Sequence, residues 1–138
     1  MRDAEIPTLP DNAIEIKDLT KIYAARDREK AVKALDQVNL TIPRGSIFGL
    51  LGPNGAGKST TINILAGLTI ETAGTVKIWG FDLKKEMRMA RASIGIVPQE
   101  VNLDAFFSPR EVLEFQAGLY GVPKQERVTA ELLKAMRL

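Results

Sequence analysis

Residues 52–59 read Gly-Pro-Asn-Gly-Ala-Gly-Lys-Ser, and Thr60 follows. Glycines at Gly52, Gly55 and Gly57, around Pro53, Asn54 and Ala56, let the backbone turn with its N–H groups facing inward. Such a turn makes an anion nest at the start of a helix. Lys58 brings a point charge suited to the terminal phosphates of a nucleotide, and the Ser59 hydroxyl suits Mg²⁺, which prefers hard oxygen ligands. Thr60 is placed to donate to the α-phosphate. The continuously apolar run Ile47-Phe48-Gly49-Leu50-Leu51 before the loop predicts a strand covered on both faces. After it, Ile62, Leu65 and Ala66 predict a helix over 58–66, with Gly67 as its C-cap. A chance match has well under about a 1% frequency in chains of this length at ordinary residue usage. Strand before and helix after are what the chemistry demands, so residues 52–60 read as a nucleotide phosphate site.

Composition excludes several other classes. The chain has 138 residues, 19 Lys plus Arg against 17 Asp plus Glu, no His and no Cys. A net charge of +2, with both signs mixed along the chain, does not indicate polyanion binding, so no nucleic-acid partner is expected. The lack of Cys and His removes disulfides, thiolate sites and His-based triads. No apolar run approaches the roughly 18 residues of a membrane-spanning helix, and the polar start has no signal-peptide core. The composition implies a soluble, intracellular chain.

Residues 1–12 read as a loose arm, and 13–138 as one partial domain. Alternation predicts antiparallel strands from Ile14 to Tyr23 and from Val38 to Ile42, with a charged loop or strand extension over 24–33. A strand over 75–79, a basic solvated helix over 84–91 and a short buried strand over 94–97 follow. Trp79 reads as packing at a strand end. Ser108-Pro109-Arg110-Glu111 is a capping box with proline at the first helical position. Its helix carries Val112, Phe115 and Leu119 on the face expected toward the core and stops at Gly121. Val128, Leu132 and Met136 set the stripe of a last amphipathic segment. Phe106 and Phe107 have two open readings, burial against the core or the lining of a partner groove.

With these motifs in place, the chain from Ile14 onward resembles the nucleotide-binding domain of ABC transporters. GPNGAGKST is the family's usual loop, and IGIVPQE (94–100) is similar to its Q-loop. Thr20-Lys21-Ile22-Tyr23 looks like the segment whose aromatic stacks on adenine. Read from the strand alone, Tyr23 is equally an ordinary strand aromatic, and Gln99 a surface amide. GLTIETAGTVKIWGFDL (67–83) further resembles the subgroup serving drug, lipid and polysaccharide exporters. The resemblance implies an α/β P-loop NTPase: an antiparallel β subdomain, the first part of a parallel core sheet, and the start of a helical subdomain over 100–138. It implies ATP and Mg²⁺ as cofactors, Lys58 and Gln99 as catalytic groups, Ser59 and Gln99 as metal contacts, and Tyr23 as the base contact. Implied partners are an integral membrane transport subunit and a second nucleotide-binding domain, most simply in a homodimer, at the cytoplasmic face of the inner membrane. The family's signature, catalytic Glu and switch His do not occur, so the chain reads as an N-terminal fragment that hydrolyses no ATP alone. The alternatives are a soluble ATPase of the same family without a membrane partner, and a non-catalytic nucleotide-binding module.

Overall fold

A computed structural model describes residues 9–24, 30–97 and 106–138. Two compact units divide the chain, Met1–Ile96 and Val97–Leu138.

The first unit is built on a four-stranded antiparallel sheet: β1 (Asn12–Tyr23), β2 (Val32–Pro43), β3 (Ala73–Ile78) and β4 (Phe81–Asp82), in the order β2-β1-β3-β4. β1 is central, and the irregularity at Asp18 lets Ile16 and Leu19, three residues apart, both enter one cluster with Leu35 of β2 and Val76 and Ile78 of β3. Ile64 and Leu65 of α1 (Lys58–Leu65) and Ala90 of α2 (Met87–Ala92) complete that cluster. Trp79 packs against it, as its place at a strand end predicts. Replacing a side chain as buried as Leu19 by Ala costs about 2–5 kcal/mol.

The β1–β2 ladder is not regular. Three steps along β1, from Ile16 to Leu19, face two steps of β2, and the slip is then reversed between Leu19 and Lys21. Asp18 and Gln37 sit at these points with φ of 50° and 48°. Side chains hold both bulges: Asn39 Oδ1 accepts from Asp18 N at 3.0 Å, and Thr20 Oγ1 accepts from Gln37 N at 3.1 Å. A further slip, between Lys21 and Ile22, leaves Ala34 of β2 as the extra residue. Bulges re-aim a strand locally, and this one lies beside the phosphate loop.

The two segments predicted as strands of a parallel core sheet are not strands. Ile47–Leu51 lies in open backbone, with Ile47 and Leu51 fully exposed, and Ile94–Val97 is likewise outside any ladder. A strand meant to be covered on both faces needs hydrogen-bonded neighbours, and every strand among the described residues belongs to the antiparallel sheet. Smaller corrections concern helical phase. In α1 the buried face is Thr61, Ile64 and Leu65, while Ile62 is exposed. The predicted C-cap holds, since Gly67 has φ 68° and the N–H groups of Gly67 and Leu68 close on Ile64 and Asn63.

The second unit pairs α3 (Pro109–Leu119) with α4 (Thr129–Ala135). The capping box forms as its sequence predicts: Ser108 Oγ accepts from Glu111 N, and a Glu111 carboxylate oxygen accepts from Ser108 N at 2.8 Å. Phe115 and Leu119 are exposed, contrary to the predicted core face. Val112 and Leu113 instead line an apolar groove of about 260 Å³ with Phe107, Leu133 and Met136. On α4 the buried residues are Thr129 and Leu133, one position on from the predicted stripe. The reason is a polar knot. Glu114 takes the Arg127 guanidinium at 2.7 Å and the Thr129 hydroxyl, while Arg127 Nε donates to Val122 O at 3.1 Å. These bonds rotate α4 so that Thr129, not Val128, turns inward.

The Thr129 hydroxyl, and then Arg127, hold the Glu114 carboxyl below the usual glutamate range. A carboxylate depressed in the folded state stabilises above its unfolded pKa, and that stability is lost as pH falls through the lower folded value. Helical signal should therefore weaken below about pH 4. Glu114→Gln should flatten part of that acid limb in circular-dichroism titrations, leaving the share due to Glu111, which the Ser108 hydroxyl also holds low. An unchanged acid limb in the variant would count against the knot.

Candidate phosphate-binding site

The loop between Leu51 and α1 is shaped by its last glycine. Gly57 has φ 85°, a left-handed conformation open to glycine. A Cβ there would stand 2.5 Å from Leu35 Cδ2 and 2.8 Å from the Ala34 carbonyl oxygen. Position 57 is thus fixed twice, by backbone conformation and by the bulged segment of β2 pressed against it. Gly55, with φ 84°, makes the preceding turn, and Ala56 N closes on Pro53 O at 3.2 Å.

Gly57 is also the N-cap of α1, and a glycine cap supplies no side-chain acceptor. The first N–H groups of a helix have no intrahelical partner, and no acidic side chain stands in the first turn of α1 to satisfy them. The N–H groups of Lys58, Ser59 and Thr60 are therefore available to an external anion, at the positive end of the helix dipole. Thr61 faces the other way: its hydroxyl donates to Gly57 O at 3.0 Å and the residue is buried.

Lys58 folds back over the loop. Its ammonium donates to Gly52 O and, at 2.8 Å, to Pro53 O. That accounts for two of its three donors; the remaining one has no protein acceptor among the described residues. The ammonium is held over the loop carbonyls, and no carboxylate among the described residues pairs with it. Ser59 is exposed and Thr60 half-buried at the same helix end.

This donor set fits a polyphosphate: uncapped amides, one unneutralised cation and two hydroxyls. It fits a resident metal only with help. No cluster of three or more His, Cys, Asp or Glu occurs among the described residues, so Mg²⁺ would take one ligand from Ser59 and the rest from phosphate and water.

The predicted site residues are not all brought together. Gly52 through Thr60 form one unit around the first turn of α1. Tyr23 ends β1, paired with Val32, three residues along β2 from Leu35 and its contact with Gly57. It belongs to the same sheet but not to the loop's hydrogen-bond set. Gln99 lies outside the described residues. Sequence reasoning missed Leu35 and Ala34, which seat the loop, and Lys21, whose ammonium lies 4.9 Å from the centre of the Tyr23 ring. The signal for Lys21 was present, because residues two apart on a strand share a face.

The pattern G-x-x-x-x-G-K-[ST] at 52–59 opening a helix at Lys58 is that of the P-loop nucleotide-binding proteins. Residues 35–138 match the family model described as ABC transporter, and the chain belongs to that family. It is 40% identical over 112 residues to the probable multidrug ABC transporter ATP-binding protein YbhF of Escherichia coli (strain K12), covering 81% of this chain and 18% of that protein. It is 43% identical over 105 residues to the Nod factor export ATP-binding protein I of Paraburkholderia xenovorans (strain LB400), covering 76% and 33%. With the methionine import ATP-binding protein MetN of Geobacillus kaustophilus (strain HTA426) identity is 42% over 118 residues, covering 83% and 34%. The fold is similar to the dimeric post-hydrolysis state of the ATP-binding cassette MJ0796 bound to ADP and Pi. That comparison gives a TM-score of 0.74 at 31% identity, covering 91% of this chain and 57% of that one. The chain thus spans about a third or less of these curated relatives.

Gly57→Ala should destabilise the first unit by about 2–4 kcal/mol, combining left-handed strain with the overpacked Leu35 contact. Urea denaturation measures it. Leu35→Ala in the same chain should show a favourable coupling with it, because the two changes share one contact. A Gly57→Ala chain as stable as the parent would remove the seat from the account of the loop.

Proposed function

We propose that the chain binds MgATP through Gly52–Thr60 and, in the whole protein, serves ATP hydrolysis that drives transport through a separate membrane subunit. The observation that carries this reading is the uncapped, acid-free first turn of α1 beneath an unneutralised Lys58. In this reading the amides of Lys58, Ser59 and Thr60 hold phosphate oxygens. Lys58 exchanges a loop carbonyl for the terminal phosphates, and Tyr23 stacks on the base. Mg²⁺ supplies charge neutralisation, with Ser59 as its protein ligand. Phosphoryl transfer to water then rests on positioning and on charge stabilisation by the loop, with Gln99 the proposed contact to metal and water.

In the proposed division of the chain, residues 1–12 are an arm and 13–138 part of one ATP-binding domain, its helical subdomain starting near 100. Export is the proposed direction, supported by the run 67–83; the relatives include proteins named for export and for import. A second nucleotide-binding domain is the proposed partner across ATP. The proposed location is peripheral, at the cytoplasmic face of the inner membrane. Among the described residues no helix is long and apolar enough to cross a membrane.

Calorimetry on the 138-residue chain tests the site. Lys58→Ala should weaken MgATP at least about ten-fold, since contacts to charged groups are worth about 1.5–3 kcal/mol. An unchanged affinity would sink the assignment. The chain alone should release no phosphate above background; turnover abolished by Lys58→Ala would contradict that.

For the membrane subunit, Phe106 is the proposed contact. It is 93% exposed, whereas Phe107 lines the α3–α4 groove. In the full-length protein Phe106→Asp should reduce co-purification with the membrane subunit while leaving ATP affinity and the melting temperature nearly unchanged. A variant that co-purifies normally would place the contact elsewhere.

A further inference from the structure

Lys21 is tethered over the ring of Tyr23. The two residues leave the same face of β1, and Lys21 Nζ stands 4.9 Å from the ring centroid. The same ammonium donates to Ile70 O at 2.8 Å. That carbonyl is itself fixed, because Thr72 N donates to Thr20 O at 2.9 Å and Thr72 Oγ1 accepts from Ile22 N at 3.0 Å. Residues 70–72 are thus stitched to the end of β1 on either side of Lys21. The ring itself is 40% exposed.

We propose that Lys21 is a positioning residue for the nucleotide base. It occupies one face of the Tyr23 ring, leaves the opposite face for stacking, and strengthens that stacking through its charge. The inference rests on the reading of Tyr23 as the base contact. Two physical effects support it. A cation over one face draws π density toward itself, so the opposite face repels the π cloud of a stacked base less. A ring already held by a tethered neighbour also loses less freedom when the base arrives.

An ammonium near a nucleotide has another possible role, as a direct phosphate contact, and the test separates the two. Calorimetry on the 138-residue chain compares MgATP with inorganic tripolyphosphate, which has no base. The variants are Lys21→Met, which keeps the aliphatic stem, Lys21→Arg, which keeps charge and donors, and Tyr23→Ala. Lys21→Met should weaken MgATP about two- to five-fold, leave tripolyphosphate unchanged, and add nothing in a Tyr23→Ala background. Lys21→Arg should stay close to the parent. Unchanged tripolyphosphate binding also shows that the variant folds. Equal losses for both ligands, or the same MgATP loss without the ring, would overturn the proposal. A loss in Tyr23→Ala with none in Lys21→Met removes the role of Lys21 and keeps the stacking. No loss in Tyr23→Ala removes both.

Discussion

The contact between Gly57 and the bulged segment of β2 is the constraint from which the site's geometry follows. The Ala34 carbonyl and the Leu35 side chain come so close that no side chain fits at position 57. That contact fixes where α1 begins, and hence where its unpaired amides point. It also ties the loop to the ladder: Leu35 pairs with Lys21, and three residues further along β2, about 10 Å, Val32 pairs with Tyr23. The proposed base contact and the segment of β2 that seats Gly57 therefore lie on one sheet. The slip that leaves Ala34 as an extra residue is what brings the strand against the loop.

What was legible in the sequence was whatever a local pattern decides. Alternation found β1 and the second half of β2, the turn before 75 marked β3, the Ser-Pro-Arg-Glu run found the cap of α3, and the loop motif found the start of α1. The bulges at Asp18 and Gln37 were not legible, because they depend on bonds from Asn39 and Thr20 on the facing strand. Helical phase failed for a related reason. Apolar spacing put Val128 inward on α4, but the Glu114–Arg127–Thr129 knot outweighs one exposed valine and turns Thr129 inward instead. A half-buried knot whose members come from α3, α4 and the segment between them has no signature at fixed sequence spacing. Of the site, the loop motif was readable, while its seat on β2 was not; the lysine over Tyr23 was signalled by its two-residue spacing but not read.

The failure of Ile47–Leu51 to form a strand carries a consequence for the loop. Its C-terminal half is held by Gly57 and α1; its N-terminal half has no ladder behind it, and Lys58 bridges the two halves through Gly52 O and Pro53 O. Lys58 ties the loop together and, in the proposed reading, must also meet phosphate. Fixing the backbone of one residue costs about 1–2 kcal/mol, so ordering even two or three residues of the unsupported half on nucleotide binding offsets the gain from one charged contact. A neighbouring strand paired with Ile47–Leu51 would carry that ordering cost in the fold instead, leaving Lys58 free to turn toward the nucleotide. Pairing the exposed apolar run before the loop is therefore expected to strengthen nucleotide binding without touching any residue of the proposed phosphate site.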